Sequence, residues 1–180
     1  MKQPTLTTER LVLRPFTLND APDVQKLAGD PAIADATLNI PHPYADGMAE
    51  AWIKSQADAF TKKGNITYAI TLREDGRLIG AIGLTQDQRH KRAEMGYWIG
   101  KPYWGQGYAT EAATALLTYG FETWQLNKIY ATHFKRNPAS GRVMQKIGMS
   151  YEGLMRQHAR NGERYEDLLY YGILRSDFEV

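Results

Sequence analysis

The sequence predicts a mixed α/β architecture around a largely antiparallel sheet. Residues 66–72 (ITYAITL) alternate with the period of a strand, and the turn Glu74-Asp75-Gly76-Arg77 sends the chain back into a second such run at 78–84, a hairpin. Ala109, Ala112, Ala113, Leu116, Leu117 and Gly120 instead recur with helical spacing. The 180 residues, 43% of them hydrophobic, suffice for one core and one ordinary domain, taken as residues 1–180.

The elements follow in order. Residues 10–16 read as the first strand, with Leu11 and Leu13 alternating against Val12 and Arg14. Asn19 or Asp20 caps a short helix carrying Val24, Leu27 and Ala28. Three prolines and mixed polarity make residues 30–43 an irregular segment and a candidate wall of a binding site. A second helix covers about 46–61, then come the hairpin and a further strand at 93–99. The Ala-rich helix follows a Gly105-Gln106-Gly107 loop, and residues 129–134 form another strand. Asn137 as N-cap, Pro138 at the first helical position and Gly148 as stop define the last helix. Strands near 151–157 and 165–174, joined around Asn161-Gly162, close the chain. The sum is seven strands and about four helices.

Composition removes whole classes of chemistry. Without cysteine there are no disulfides, thiolate metal sites or thiol nucleophiles. His42, His90, His133 and His158 show no ligand spacing, so no metal is expected. A net charge of +2 gives no global case for nucleic-acid binding. No run of apolar residues is long enough to span a membrane, and the N-terminus lacks a signal peptide, so a cytoplasmic protein is expected.

The loop before the Ala-rich helix carries the chemistry. Glycines there let backbone N–H groups turn towards an anion, and the helix N-terminus adds about half a positive charge. It is neither a Walker loop, which needs Lys-Ser/Thr after its last Gly, nor a dinucleotide fingerprint. Alone, a Gly-x-Gly turn is as readily an ordinary strand-to-helix connection.

Four blocks in order, TERLVLRPF, AEMGYWIGKPYWGQGYATEA, NKIYATHFKRNPASGRVMQKIGM and YEGLMRQHARNGERYEDLLYYGIL, resemble the GNAT superfamily of acetyltransferases. The closest likeness is to the branch of ribosomal-protein N-terminal acetyltransferases, and it runs from about Thr8 to Leu174. The family's loop is often written Gln/Arg-x-x-Gly-x-Gly/Ala, and the stretch through Trp104 departs from that pattern, as this branch commonly does. The resemblance implies a GNAT fold and acetyl-CoA as co-substrate. Its pyrophosphate would lie on Trp104, Gly105 and the N–H groups of Gln106, Gly107, Tyr108, Ala109 and Thr110. Its pantetheine arm would run along Trp98, Ile99 and Gly100 as an added strand, met by Asn137 and Ser140 from the opposite helix. A backbone N–H there could polarise the thioester carbonyl.

Direct transfer to an amine needs a neutral amine and a leaving thiolate. A chain-terminal amine costs about 1.4 kcal/mol to neutralise at pH 7 and a lysine roughly 4.6. The resemblance makes Glu94 the candidate base; as a plain strand carboxylate it would pair with Arg92 or Lys91. Ser140 is the candidate thiolate donor, with Tyr108 and Tyr151 behind it. Tyr44, Trp52, Tyr97, Trp98 and Tyr103 are candidates for an acceptor groove or for core. Arg156, His158, Arg160 and Arg164 form a basic hairpin that faces an acidic substrate, the CoA 3′-phosphate or water. The acceptor is expected to be a protein N-terminal α-amine. The alternatives are a small-molecule amine (polyamine, amino acid or aminoglycoside) and a non-catalytic acyl-CoA-binding module. A homodimer is compatible with the sequence.

Overall fold

Each alternating run becomes a strand, and one two-residue strand precedes them. In a computed structural model that describes residues 2–178, the strands are β1 (Leu6–Thr7), β2 (Leu11–Arg14), β3 (Ile66–Leu72), β4 (Leu78–Asp87), β5 (Arg92–Ile99), β6 (Lys128–Phe134), β7 (Ser150–Asn161) and β8 (Arg164–Leu174). Met1 and residues 179–180, the ends of the expected 1–180 unit, lie outside the described residues. The helices are α1 (Ala21–Ala28), α2 (Pro31–Ala36), α3 (Met48–Lys63), α4 (Tyr108–Glu122) and α5 (Pro138–Lys146).

The eight strands form one sheet in the order β1-β2-β3-β4-β5-β6-β8-β7, and β5–β6 is its parallel pair. The expected seven strands become eight because β1 pairs with β2 through Leu6↔Leu13 and Thr7↔Val12, a contact too short to show as alternation. The expected four helices become five because Asp30 caps α2 inside the segment read as irregular, its carboxylate accepting from Ala32 N at 2.9 Å.

Both faces of the sheet are covered, so β3 from Tyr68 to Leu72 and β4 from Leu78 to Ile82 are buried at every residue, including the positions between the alternating large apolar side chains. On one face Ala112, Ala113, Leu116, Leu117 and Phe121 of α4 and Met144 of α5 pack on Leu84, Met95, Ile129 and Ala131. On the other, Val24 and Ala28 of α1, Ile33 of α2 and Ile53 of α3 pack on Ala69, Ala81 and Trp98.

Asp20, one of the two residues read as a helix cap, stands at the N-cap of α1 but makes no side-chain cap bond there. Thr17 caps a short 3-10 turn, Leu18–Asp20, in a capping box. Asp20 is buried and accepts from both terminal guanidinium nitrogens of Arg14, at 2.7 and 2.9 Å. Hydrogen bonds to a charged group are worth about 1.5–3 kcal/mol, so this bidentate pair is what anchors α1 to β2.

Candidate active site

Strands β5 and β6 run together only at their first residues. Arg92↔Lys128, Ala93↔Ile129 and Glu94↔Tyr130 are paired; beyond Glu94 the two strands part. The unpaired edge of β5 from Met95 to Ile99 therefore faces a gap, and α5 starts on its far side. A cavity of about 440 Å³ fills that gap, walled by Glu94–Trp98, Thr132–Phe134, Ser140 and, from the helical layer, Leu38, Tyr44 and Trp52.

At the C-terminal end of β5 the chain turns sharply. Gly100 N–H donates to Ile79 O at 2.8 Å and Gly100 O accepts from Tyr103 N at 2.9 Å, so both its backbone groups are engaged within the protein. The indole N–H of Trp104 closes back on Ile99 O at 2.6 Å, leaving its ring half exposed. Gly105 and Gly107 stand at φ 75° and 82°, the left-handed region that side chains disfavour. Glu111 N donates to Gly107 O at 3.0 Å, so the N–H groups of Tyr108, Ala109 and Thr110 lie ahead of the helical ladder, at the positive end of α4.

The loop is braced from behind by a residue the sequence reading passed over. Arg10 donates from Nε to Glu111 at 2.7 Å and from a terminal nitrogen to Gln106 O at 2.9 Å, and its guanidinium lies 4.6 Å from the centre of the Tyr108 ring. Glu111 also accepts from Arg10 N and from Thr8 Oγ1, at 2.8 and 2.7 Å. Burial opposes the charge on Glu111, but these donors outweigh it and hold its carboxyl below the ordinary range. With Gln106 O tied backwards, the N–H side of the loop is left facing out.

Glu94 points to the α1–α3 face, across from Thr85 and Tyr130. It makes no ion pair among the described residues: Arg92, its sequence-level candidate partner, binds Asp87 instead, at 3.2 Å. Water reaches the carboxyl, yet it sits in a hollow rather than on a convex surface. Desolvation raises its pKa above the ordinary carboxylate value, with no cation to counter it.

Ser140 and Tyr97 meet across the gap. The phenol oxygen lies 2.9 Å from Ser140 Oγ and 3.0 Å from Ser140 O. Burial outweighs the Ser140 hydrogen bond and pushes the phenol up to about 12, so Tyr97 keeps its proton at neutral pH. When that proton is shared with Ser140 Oγ, the serine hydroxyl hydrogen is free to point into the cavity. Tyr151 and Tyr108 do not compete: Tyr151 is exposed and packs edge-on against Tyr171, and Tyr108 lies under Arg10. Of the five aromatic groove candidates, Tyr44, Trp52, Tyr97 and Trp98 line the cavity, and Tyr103 packs with the α4-side core. His133 is buried with its ring against Gly141, where a Cβ would come within 2.6 Å of Nε2.

Asn137 stands at the N-cap of α5 but makes no side-chain cap bond; its amide reaches instead to Ala36 O at 3.4 Å. That contact belongs to a clamp over the cavity. Arg136 donates to Glu166 and to the side chain of Asp35, each at 2.8 Å, and to Asp35 O at 2.7 Å. Arg164 joins Asp35 and Glu166 from the β7–β8 hairpin, and Asn161 donates to Ala34 O at 3.1 Å. Burial works against the charge of Asp35, but Arg164 and Arg136 prevail and lower its pKa. The clamp fixes α2 and the segment after it as the roof above Glu94. The ties to α2 span more than 100 residues, and no local pattern announces them.

Among the described residues no three His, Cys, Asp or Glu side chains gather as a metal site, and no helix is long and apolar enough to cross a membrane. Residues 10–150 match the family described as acetyltransferase (GNAT) domain. Over 176 residues the chain is 32% identical to "Uncharacterized N-acetyltransferase p20" of Bacillus licheniformis, covering 97% of this chain and 98% of that one. Over 153 residues it is 28% identical to the spermidine N(1)-acetyltransferase of Escherichia coli (strain K12), covering 84% and 79%. The fold matches the ribosomal L7/L12 alpha-N-protein acetyltransferase RimL, solved with coenzyme A, at TM-score 0.87 and 17% identity, covering 95% and 98%. A family match over most of the length, on a sheet whose central strands part beside a glycine loop, identifies the chain as a member of the GNAT family of N-acetyltransferases, enzymes that use acetyl-CoA.

Proposed function

We propose that the cleft acetylates the α-amine of a peptide or protein N-terminus, with Glu94 as the base. The observation that carries this reading is that Glu94 is the lone carboxylate lining the cavity, unpaired and incompletely solvated. A polyamine brings several ammonium groups and would leave all but one unmatched in the cleft. An α-amine brings one charge, and its low pKa makes it the cheaper amine to neutralise.

The residues fit acetyl-CoA. The α4 loop presents convergent N–H groups for a pyrophosphate: those of Gln106 and Gly107 in the glycine turn, and those of Tyr108, Ala109 and Thr110 at the helix start. The edge of β5 that β6 leaves unpaired, Tyr97 to Ile99, offers backbone groups to an extended arm, less Ile99 O, which the Trp104 indole already takes, and Ser140 meets it from α5. Gly100 contributes only shape, because both its backbone groups are already bonded. When bound, acetyl-CoA supplies a thioester whose C–S bond breaks as the amine forms the new C–N bond. Glu94 accepts the proton that the ammonium must lose before attack, and the second proton, shed by the nitrogen as the amide forms, leaves with the sulfur, so that the products are the amide and the CoA thiol. Ser140 donates a hydrogen bond to the departing sulfur, and Tyr97 behind it supplies the polar partner that keeps the hydroxyl aimed at the gap.

The test follows CoA thiol release with N-terminal peptides, spermidine and an aminoglycoside, for wild type and Glu94→Gln. The expected result is release with peptides, reduced about 10²-fold or more in the variant. Because the base must be unprotonated and its pKa is raised, kcat/KM of the wild type should fall with pH along a limb above the ordinary carboxylate range. That limb should be missing from Glu94→Gln. Spermidine as the best acceptor would replace the peptide reading with a small-molecule one.

A further inference from the structure

The basic hairpin resolves into residues with different work. Arg164 is taken up by Asp35 and Glu166. Arg156 is exposed on β7, outside the cavity walls. His158 and Arg160 differ from both, because they line a second mouth of the same cleft whose wall also holds Glu94, Thr132 and Tyr170. A break in the β7–β8 register between Met155 and Ala159 puts them there, with Gln157 at φ 48° and its N–H donating to Asp167 at 2.8 Å. Bulges of this kind re-aim side chains that regular alternation would send elsewhere.

The two residues are free to receive a ligand. Neither makes an ion pair among the described residues, and Arg160 is held by a single bond, Nε to Gly162 O at 3.0 Å, which leaves both terminal nitrogens unspent. The wall between them and Glu94 is uncharged, made of Thr132, Leu168 and Tyr170; the Tyr170 ring is backed by Tyr130, stacked at 6.3 Å, and met edge-on by the His158 ring at 6.4 Å. The mouth thus has one negative end, Glu94, and one positive end, Arg160, with an uncharged path between.

We infer that the acceptor carries an anionic group beyond its amine, and that Arg160, helped by His158, binds that group while Glu94 takes the amine. This rests on the reading of Glu94 as the acceptor-side base, and it makes Arg160 a specificity residue. An acceptor bearing further cations would meet the guanidinium with like charge, whereas an acidic one pairs with it as the amine enters.

The experiment compares matched acceptors on the full chain. One set is the amidated peptides Ser-Glu-Glu-Ala, Ser-Gln-Gln-Ala and Ser-Lys-Lys-Ala; the other is ε-aminocaproate, hexylamine and hexamethylenediamine. The expected kcat/KM falls in that order within a set, by about tenfold from acid to base, and the order inverts in Arg160→Glu. Each ratio is taken on one enzyme preparation, so a change in its folded fraction cancels. Equal rates within a set, or an order that survives Arg160→Glu, overturns the inference. If the peptides are not acetylated but ε-aminocaproate leads its set and inverts, the anion site stands and the peptide reading falls. A preference for the diamine or the lysine peptide removes the anion site.

Discussion

At the α4 end of the cleft the groups that face the gap are backbone N–H groups of one loop; at the α2 end they are side chains from β5, β6, β7 and β8 under a roof built of α2 and its continuation. Both ends are braced by one arginine bonded to a carboxylate 101 residues away, Arg10 to Glu111 and Arg136 to Asp35. The braces are not equal. Arg10 is 44% exposed over Glu111 at 17%; Asp35 is more exposed than Glu111, at 53%, but Arg136 also covers a second carboxylate, Glu166, whose side chain is 8% exposed. A site made of backbone is specified by a few glycine torsions and tolerates most side-chain change. A site made of side chains holds only while its ties do.

The sharpest break of the first end is Gly107→Val. A β-branched residue at φ 82° costs about 2 kcal/mol, and the loop escapes that cost by leaving the conformation in which its N–H groups converge. The KM for acetyl-CoA should rise roughly 30-fold, that cost converted at about 1.4 kcal/mol per decade, with the KM for the acceptor little changed. Initial rates with each substrate varied in turn separate the two. An unaltered KM for acetyl-CoA would mean that the turn does not shape the anion site.

This difference in construction also explains what a single sequence discloses. Gly105-Gln106-Gly107, the helix start behind it and the strand carrying Glu94 are contiguous, and local rules about φ and helix ends read them directly. Asn137 is legible in the same way, from a helix start marked by proline, whereas Ser140 enters through the family resemblance. The clamp was not legible: Asp35, Arg136, Arg164 and Glu166 come from α2, the β6–α5 turn and β8, and only the folded sheet brings them together. Tyr97 was legible as a groove aromatic, but its bond to Ser140 depends on how far β5 and β6 part. The basic hairpin was visible as a charge pattern, yet the bulge that sorts Arg160 from Arg156 is a register event, which composition does not encode.

At the α2 end the corresponding break is Arg136→Ala. It strips Glu166 of its 2.8 Å partner and leaves a buried carboxylate with Arg164 at 3.7 Å, while the Asp35 carboxylate on the roof is left to Arg164 alone. Truncating one member of a largely buried pair costs more than the pair was worth, here about 2 kcal/mol after allowance for the partial exposure of Arg136. Thermal unfolding should show Tm lower by about 4–8 °C. The KM for the acceptor should rise more than that for acetyl-CoA, the reverse of Gly107→Val. Equal changes in both would make the clamp a stability device alone.

The smallest effect belongs to Arg10→Gln. An exposed ion pair contributes little, about 1 kcal/mol at most, so the fold should be nearly unaffected and the KM for acetyl-CoA should rise about fivefold. Two bonds could carry that effect, the one to Glu111 or the one to Gln106 O, and Glu111→Gln tells them apart. If the loop is held through Gln106 O, Glu111→Gln leaves a guanidinium still bonded to the loop, and its KM stays closer to wild type than that of Arg10→Gln. If the charge on Glu111 fixes the arginine, both variants rise alike, the double variant adds nothing further, and the gap between Glu111→Gln and wild type narrows with salt, which screens the ion pair that the wild type keeps. Either result ranks the backbone contact against the ion pair at a place where this end of the cleft depends on a side chain.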